Sequence, residues 1–332
     1  MILRAIDLRK DYAVRGSRRP VRALAGVSFD LEQGETLGVV GESGCGKSTL
    51  ARLLVRLEQP TAGRVEFDGM DLTALSGARL RAQRRRIQMV FQDPYASLNP
   101  RHSVGDAIEE VLRVHKLCAG RSRVNELLEM VGLAPVHALR YPHELSGGQR
   151  QRVSIARSLA AEPAVLILDE AVSALDVSVR AEVMNLLVRL RDELGLGYIF
   201  ISHDLSMVRH ISTRIAVMYL GRIVELGPWD SVLDEPLHPY TDALRRTMPV
   251  PDPELATRQI DVPIQGEVPN PAAPPSGCPF HPRCPLTEQL CRERRPQLVQ
   301  LLPAHDAACH VAARAVAGGH VLSHGSIDRN RS

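Results

Sequence analysis

The sequence predicts an α/β protein with a mainly parallel sheet flanked by helices. Up to about residue 248, short apolar runs alternate with longer amphipathic stretches, the pattern of strands joined by crossover helices. Three runs, "TLGVV" (36–40), "AVLIL" (164–168) and "YIFI" (198–201), are almost uninterruptedly apolar and are expected to be buried central strands. Between the last two, Val183, Leu187, Leu190 and Leu194 recur at helical spacing, and Gly195 stands where a helix would be capped. That helix is the crossover between the strands.

The totals bound what such a fold can do. A chain of 332 residues suggests about two domains and buries an ample core. Apolar residues make up 44%, charged residues 24% and aromatics only 4%, a water-soluble globular composition. The 41 basic and 38 acidic side chains nearly cancel at +3, which gives no electrostatic case for nucleic acid as a partner. The most basic stretch, "GARLRAQRRRIQ" (77–88), reads as a solvated helix face. The N-terminus "MILRAIDLRKDY" lacks the features of a secretory signal, and no apolar run approaches the ~20 residues that span a bilayer. A cytosolic protein without a transmembrane segment is therefore expected.

Past residue 248 the character changes. Eight prolines (249, 251, 253, 263, 269, 271, 274 and 275) forbid long helices and predict an extended path to a separate terminal module. The expected division is 1–248, then 249–312 for linker and module, then a flexible tail over 313–332, where periodicity fades.

The chemistry begins after the first central strand. "GESGCGKST" (41–49) has the G-x-x-x-x-G-K-S pattern between a strand and the helical "LARLLVRLE". Gly41, Gly44 and Gly46 let the backbone close round phosphates, while Glu42, Ser43, Cys45 and Thr49 complete the loop and the start of its helix. Lys47 is placed to reach the β- and γ-phosphates, and the Ser48 hydroxyl to hold Mg²⁺. "AVLILDE" adds an apolar strand ending in Asp169, to position the Mg²⁺, and Glu170, to polarise an attacking water. Further on, "LSGGQRQR" (145–152) opens an amphipathic run. Ser146 as N-cap, followed by Gly147, Gly148 and Gln149, leaves backbone N–H groups exposed at a helix start, a second anion site.

The phosphate loop, "FQDPYASLNP", "LSGGQ", "LDEAVSALD" and "ISHD", in this order and at these separations, resemble the ATP-binding subunits of ABC transporters over essentially the whole chain. The resemblance implies a P-loop core with an antiparallel β subdomain and a helical subdomain over about 93–145. It also implies a head-to-tail pair of ATP-binding units, each ATP lying between one unit's P-loop and the other's "LSGGQ". Tyr12 would then stack on adenine, or simply be a half-buried strand tyrosine. Gln92 would sense the Mg²⁺ and the attacking water, Asp176 would face the opposite site, and His203 would contact the γ-phosphate. The family commonly has Pro after the glutamate; Ala171 here bears on loop rigidity more than on chemistry.

"DPYASLNPRHSVGDAIEE", "HPYTDALRRTMP" (238–249) and "GEVPNPAAPPSGCPFHPRCP" are similar to the dipeptide, oligopeptide and nickel import branch of that family, most nearly to a second ATP-binding subunit of a dipeptide permease. The implied partners are a homologous ATP-binding subunit, two membrane-spanning permease subunits and, indirectly, a substrate-binding protein. The implied location is peripheral, on the cytoplasmic face of the inner membrane. Nickel and glutathione importers share these motifs and stay open as alternatives. A soluble ABC ATPase of DNA repair or translation is the other class, but such proteins carry a long coiled coil or two ATPase units. About a hundred residues between Gly41 and Leu145, and a single P-loop, leave room for neither.

Six cysteines remain to be placed. Cys45 belongs to the loop, and Cys118, with no partner by sequence, reads as a buried structural thiol. Cys278, Cys284, Cys291 and Cys309 form C-x5-C-x6-C-x17-C in the terminal module. Stable disulfides are not expected in a reducing compartment, which leaves a 4Fe–4S cluster, zinc or free thiols. His281 and His310 are substitute ligands or merely flanking polar residues. Some importer ATPases that the chain resembles carry a 4Fe–4S cluster in this extension.

Overall fold

The three apolar runs become neighbouring strands at the centre of one sheet. The structure, a computed structural model, describes residues 1–13, 20–93, 97–248 and 266–319. Among the described residues the strands are β1 (Leu3–Tyr12), β2 (Val21–Leu31), β3 (Thr36–Val40), β4 (Ala62–Phe67), β5 (Met70–Asp71), β6 (Ile87–Val90), β7 (Val165–Asp169), β8 (Gly197–Ile201), β9 (Arg214–Tyr219), β10 (Arg222–Pro228), β11 (Val299–Leu302) and β12 (His305–Ala307). The larger sheet has the order β11-β12-β10-β9-β3-β8-β7-β6. Pairing is parallel from β6 through β7, β8 and β3 to β9, and antiparallel from β9 outward. Every residue of β3, β7 and β8 is buried, as strands covered on both faces must be.

The second sheet, β2-β1-β4-β5, is wholly antiparallel and encloses one core together with the helix Lys47–Leu54 and one face of β3, β7 and β8. On the other face, Leu166, Leu168, Tyr198 and Phe200 join a core formed with the helices. The crossover helix runs Val177–Leu194 and buries Val183, Leu187 and Leu190, with Gly195 left-handed at its C-cap (φ 63°). Leu194, expected on the same face, is instead exposed, at the last residue of the helix before its Gly195 cap. The basic stretch forms the helix Gly77–Arg86, in which no residue is buried.

Residues 97–145 carry the helices Val104–Val114 and Arg121–Met130 and two short 3-10 turns. Ser103 and Asp106 form a reciprocal capping box at the first helix, holding two otherwise unpaired N–H groups. Among the described residues no helix is long and apolar enough to cross a membrane.

The terminal residues depart from the sequence expectation of a separate module. β12 pairs with β10 through Glu225↔Ala307 and Leu226↔Asp306, so the chain end extends the main sheet. Cys278, Phe280 and Cys291 lie within the main core. The physical reason is polar as well as apolar. Glu225, fully buried, accepts from the backbone of Leu237 (2.6 Å) and His238 (3.0 Å) and stands 2.7 Å from His305 Nε2, and a buried carboxylate needs all such partners. The helix His310–Ala317 runs past residue 313, where the sequence suggests a flexible tail, because Cys309 caps it and Ala312 packs inward. The greater part of the proline-rich linker, 249–265, and the tail 320–332 lie outside the described residues.

Candidate functional site

β3 delivers the chain to the phosphate loop at the sheet's C-terminal edge, and two glycines there have no substitute. Gly41 (φ 150°) passes so close to β9 that a Cβ would stand 2.2 Å from the Met218 carbonyl. Gly46 (φ 107°) would place one 2.5 Å from the Ala23 carbonyl. Any side chain at either position would push the loop off the sheet.

Within the loop Lys47 is 6% exposed. Its Nζ donates to the carbonyls of Gly41 (2.6 Å) and Glu42 (3.1 Å), so the ammonium is held at the mouth of the loop. Ser48 Oγ donates to Asp169 Oδ1 at 3.2 Å. Burial raises the Asp169 carboxyl above its ordinary range; the Ser48 bond works against that shift and the neighbouring Glu170 adds to it. A hydroxyl beside a carboxylate is an oxygen-rich donor set that suits Mg²⁺. Burial also raises the Cys45 thiol, keeping it unreactive as a small loop residue.

Glu170 leaves β7 in a left-handed conformation (φ 48°), its N–H donating to the Ile201 carbonyl at 3.0 Å. The kink turns its carboxylate to two residues far away in sequence. Gln92 Nε2 donates to Oε2 at 2.8 Å, and His203 Nδ1 stands 3.5 Å from Oε1. The turn after it is braced by Ser173, whose N–H (3.1 Å) and hydroxyl (2.9 Å) both donate to the Glu170 carbonyl. Ala171 is buried in that turn, so Ser173 fixes the rigidity that a proline would otherwise supply. Asp204, next to His203, caps the helix Leu205–Ile211 through the N–H groups of Ser206 and Met207 and so orients the "SHD" turn.

Tyr12, at the end of β1, donates to Glu58 Oε2 at 2.6 Å with Lys10 Nζ 5.1 Å from its ring centre. Burial, then the bond to Glu58, raises its phenol, and Thr49 is a further partner. The ring is thus beside the loop helix, a place compatible with stacking and equally with a half-buried strand tyrosine.

"LSGGQ" lies apart from these groups in its bonding. Ser146 Oγ accepts from the Gln149 N–H (3.3 Å) and Gln149 Oε1 accepts from the Ser146 N–H (3.0 Å), a capping box on the helix Gly147–Leu159. Gln149 reaches His137 at 3.5 Å, on the helical segment's side. Ser146 and Gly147 are exposed, and Gly148 packs where a Cβ would meet Val179 at 2.3 Å. Asp176 stands at the N-cap of the helix Val177–Leu194 without capping it by its side chain, which leaves the carboxylate available elsewhere.

The cysteine module touches the phosphate loop, through residues that the sequence does not single out. Arg283 donates from Nη1 and Nη2 to the two carboxylate oxygens of Glu42, at 2.7 and 2.9 Å. That fork raises the guanidinium still further. Tyr240 Oη accepts from the Glu42 N–H at 2.8 Å. An arginine between two cysteines is visible in "CPFHPRC" (278–284), but a partner 241 residues away is not.

All six cysteines are free thiols, and Cys118, expected from the sequence to be buried, is instead exposed. Cys278, Cys284, Cys291 and Cys309 line one small cavity with His238, His281 and His310. Burial first, and the neighbouring sulfurs next, push Cys278 up to about 11 and Cys284 up to about 12. Among the described residues no three His, Cys, Asp or Glu side chains stand close enough to hold a metal ion. The expected metal set therefore converges on one cavity without closing on an ion.

Comparison with known proteins agrees with this geometry. A family model described as ABC transporter matches residues 24–173, and one described as oligopeptide/dipeptide transporter, C-terminal region, matches 224–291. The di/tripeptide transport ATP-binding protein DppF of Pseudomonas aeruginosa is 48% identical over 94% of this chain and 98% of its own. The dipeptide transport ATP-binding protein DppF of Escherichia coli is 50% identical over 90% of each. The oligopeptide transport ATP-binding protein AppF of Bacillus subtilis is 50% identical over 93% and 97%. Among solved structures, the dimeric ATP-binding cassette MJ0796 with ADP and Pi matches at a TM-score of 0.62 and 29% identity, over 69% of this chain and 99% of that one. A buried lysine loop, a carboxylate pair at the end of the adjoining strand and relatives of this closeness have one common meaning: the chain belongs to the ATP-binding, ATP-hydrolysing subunits of the ABC transporters of dipeptides and oligopeptides.

Proposed function

We propose that this chain hydrolyses ATP to drive uptake of dipeptides or oligopeptides, and that its catalytic group is Glu170. The observation that carries this is the bonding around Glu170: its carboxylate lies between Gln92 and His203, one residue beyond an Asp169 that is tied to Ser48 of the phosphate loop. Glu170 takes the proton of the attacking water, Gln92 orients that water, and His203 steadies the γ-phosphate. Lys47 and the loop N–H groups hold the β- and γ-phosphates in line. Ser48, Asp169 and Gln92 would hold Mg²⁺, which supplies charge neutralisation on the phosphates.

The exposed Ser146 and Gly147, with the half-buried Gln149, serve the ATP of a second, homologous subunit, and Asp176 faces that site. The similar cassette MJ0796 is dimeric, and a homologous ATP-binding subunit is the partner proposed here, in a heterodimer. The membrane subunits dock at a groove lined by Phe91, Val111 and Val114, with Glu110, His115 and Arg157 around it. Phe91 and Val114 are exposed apolar side chains there, suited to the apolar face of a helix. The location proposed with this docking is peripheral, on the cytoplasmic face of the inner membrane.

For the terminal cavity we propose a 4Fe–4S cluster bound by Cys278, Cys284, Cys291 and Cys309. What supports this reading is the donor chemistry, four free thiols lining one cavity. Iron and acid-labile sulfide in anaerobically purified protein are the expected result; zinc alone or free thiols in that protein would end the proposal.

Glu170→Gln tests the function. In cells lacking the gene, it should bind ATP normally, lose hydrolysis by roughly 10²-fold or more, and fail to restore uptake of a labelled dipeptide. Uptake of nickel or glutathione, rather than the dipeptide, by the unaltered gene would move the substrate to the alternative importers.

A further inference from the structure

Glu42 poses an electrostatic problem that the terminal module answers. It is a carboxylate inside a loop that gathers phosphates, and an unpaired negative charge there would oppose the triphosphate. Arg283 answers it with a fork on both oxygens, its side chain 4% exposed and lying 5.9 Å from the ring centre of Tyr219 and 6.0 Å from that of Phe280. A bidentate guanidinium–carboxylate pair fixes orientation as well as charge. The fit is strict enough that Arg283 Nε is buried without a hydrogen-bond partner among the described residues, its two terminal nitrogens being spent on Glu42.

The same residue is gripped a second time. Tyr240 Oη accepts from the Glu42 N–H, and Tyr240 packs on Phe280, 5.4 Å between ring centres. With the N–H and the side chain both held, the Glu42 carbonyl keeps the direction in which it meets Lys47 Nζ at 3.1 Å. Arg283 sits in the turn His281–Arg283, directly between Phe280 and Cys284, so the clamp belongs to the cysteine module.

We propose that Arg283 is a positioning residue for ATP binding: acting through Glu42, it neutralises and holds the phosphate loop, and by it the cysteine module completes the ATP site of its own subunit. Resting on the proposed role of residues 41–49, the idea makes the affinity for ATP, not the chemical step, depend on the module.

The experiment uses the full-length chain for ATP affinity and the assembled transporter for kcat and KM. Arg283→Met should raise Kd and KM for ATP roughly ten-fold or more and change kcat less than about two-fold. The double variant, Arg283→Met with Glu42→Gln, has no charge left to neutralise and should return Kd to within about three-fold of the parent, which a merely structural arginine would not allow. Arg283→Lys keeps the charge but loses the fork and should show an intermediate, roughly three-fold rise in Kd. A parental Kd in Arg283→Met, or a double variant no better than Arg283→Met, overturns the proposal. Should Arg283→Met fail to fold, a parental Kd in folded Arg283→Lys does so instead. Lys47→Ala separates the two layers: normal ATP binding in that variant would sink the role of the loop itself, whereas the Arg283 results sink only the clamp.

Discussion

The chain carries two helix starts built for anions, and they are finished differently. At residues 41–49 the groups are turned inward and bonded within the chain: Lys47 to the loop carbonyls, Ser48 to Asp169, Glu42 to Arg283 and Tyr240. At residues 146–149 the bonds stay local, a capping box between neighbours, with Ser146 and Gly147 open to solvent. The difference teaches that one helix start has its polar groups fixed by distant parts of the chain, while the other leaves its first residues to solvent, as the proposed second subunit would require. Preorganised polar groups add most to binding because little remains to be ordered.

The contrast can be broken most severely at Lys47. Lys47→Ala should weaken ATP binding by the isolated chain roughly 10- to 100-fold, measured with a fluorescent nucleotide, since charge-assisted bonds to phosphate are lost. Ser146→Arg is the sharper test. It should leave the isolated chain's ATP affinity at the parental value yet reduce hydrolysis in the assembled transporter by over roughly ten-fold, because the guanidinium obstructs the exposed helix start. If the isolated chain also loses affinity, the two sites are not independent in the way their bonding indicates. The smallest effect belongs to Ser146→Ala, which removes the cap and should cost about 1 kcal/mol of stability by thermal or denaturant melting, again without touching ATP affinity in the isolated chain.

What the sequence made legible follows the same division between local and distant. The loop glycines, Lys47, Ser48, Asp169 and the capping Ser146 could be read because each works within a strand–turn–helix of a few residues. Gln92 and His203 were readable only through the family resemblance; their meeting at Glu170 depends on β6, β7 and β8 lying side by side. Arg283 and Tyr240 carried no sequence signal, since their partner Glu42 lies 241 and 198 residues away. The terminal module looked separate because its prolines and cysteines mark a change of composition, and composition is blind to the pairing of β12 with β10. Leu194 was misplaced for a simpler reason: periodicity continues to the last turn of a helix whether or not the surface beneath it does.

The pairing of β10 with β12 has a consequence in time. Glu225 is made early, yet its contact His305 comes 80 residues later, and Ala307 and Asp306 close the strand beside it. During synthesis at about 5–20 residues per second, the larger sheet therefore stands for several seconds with an open flank and a buried-to-be carboxylate still in water. The clamp on the phosphate loop waits in the same way, because Arg283 is made 241 residues after the Glu42 it holds.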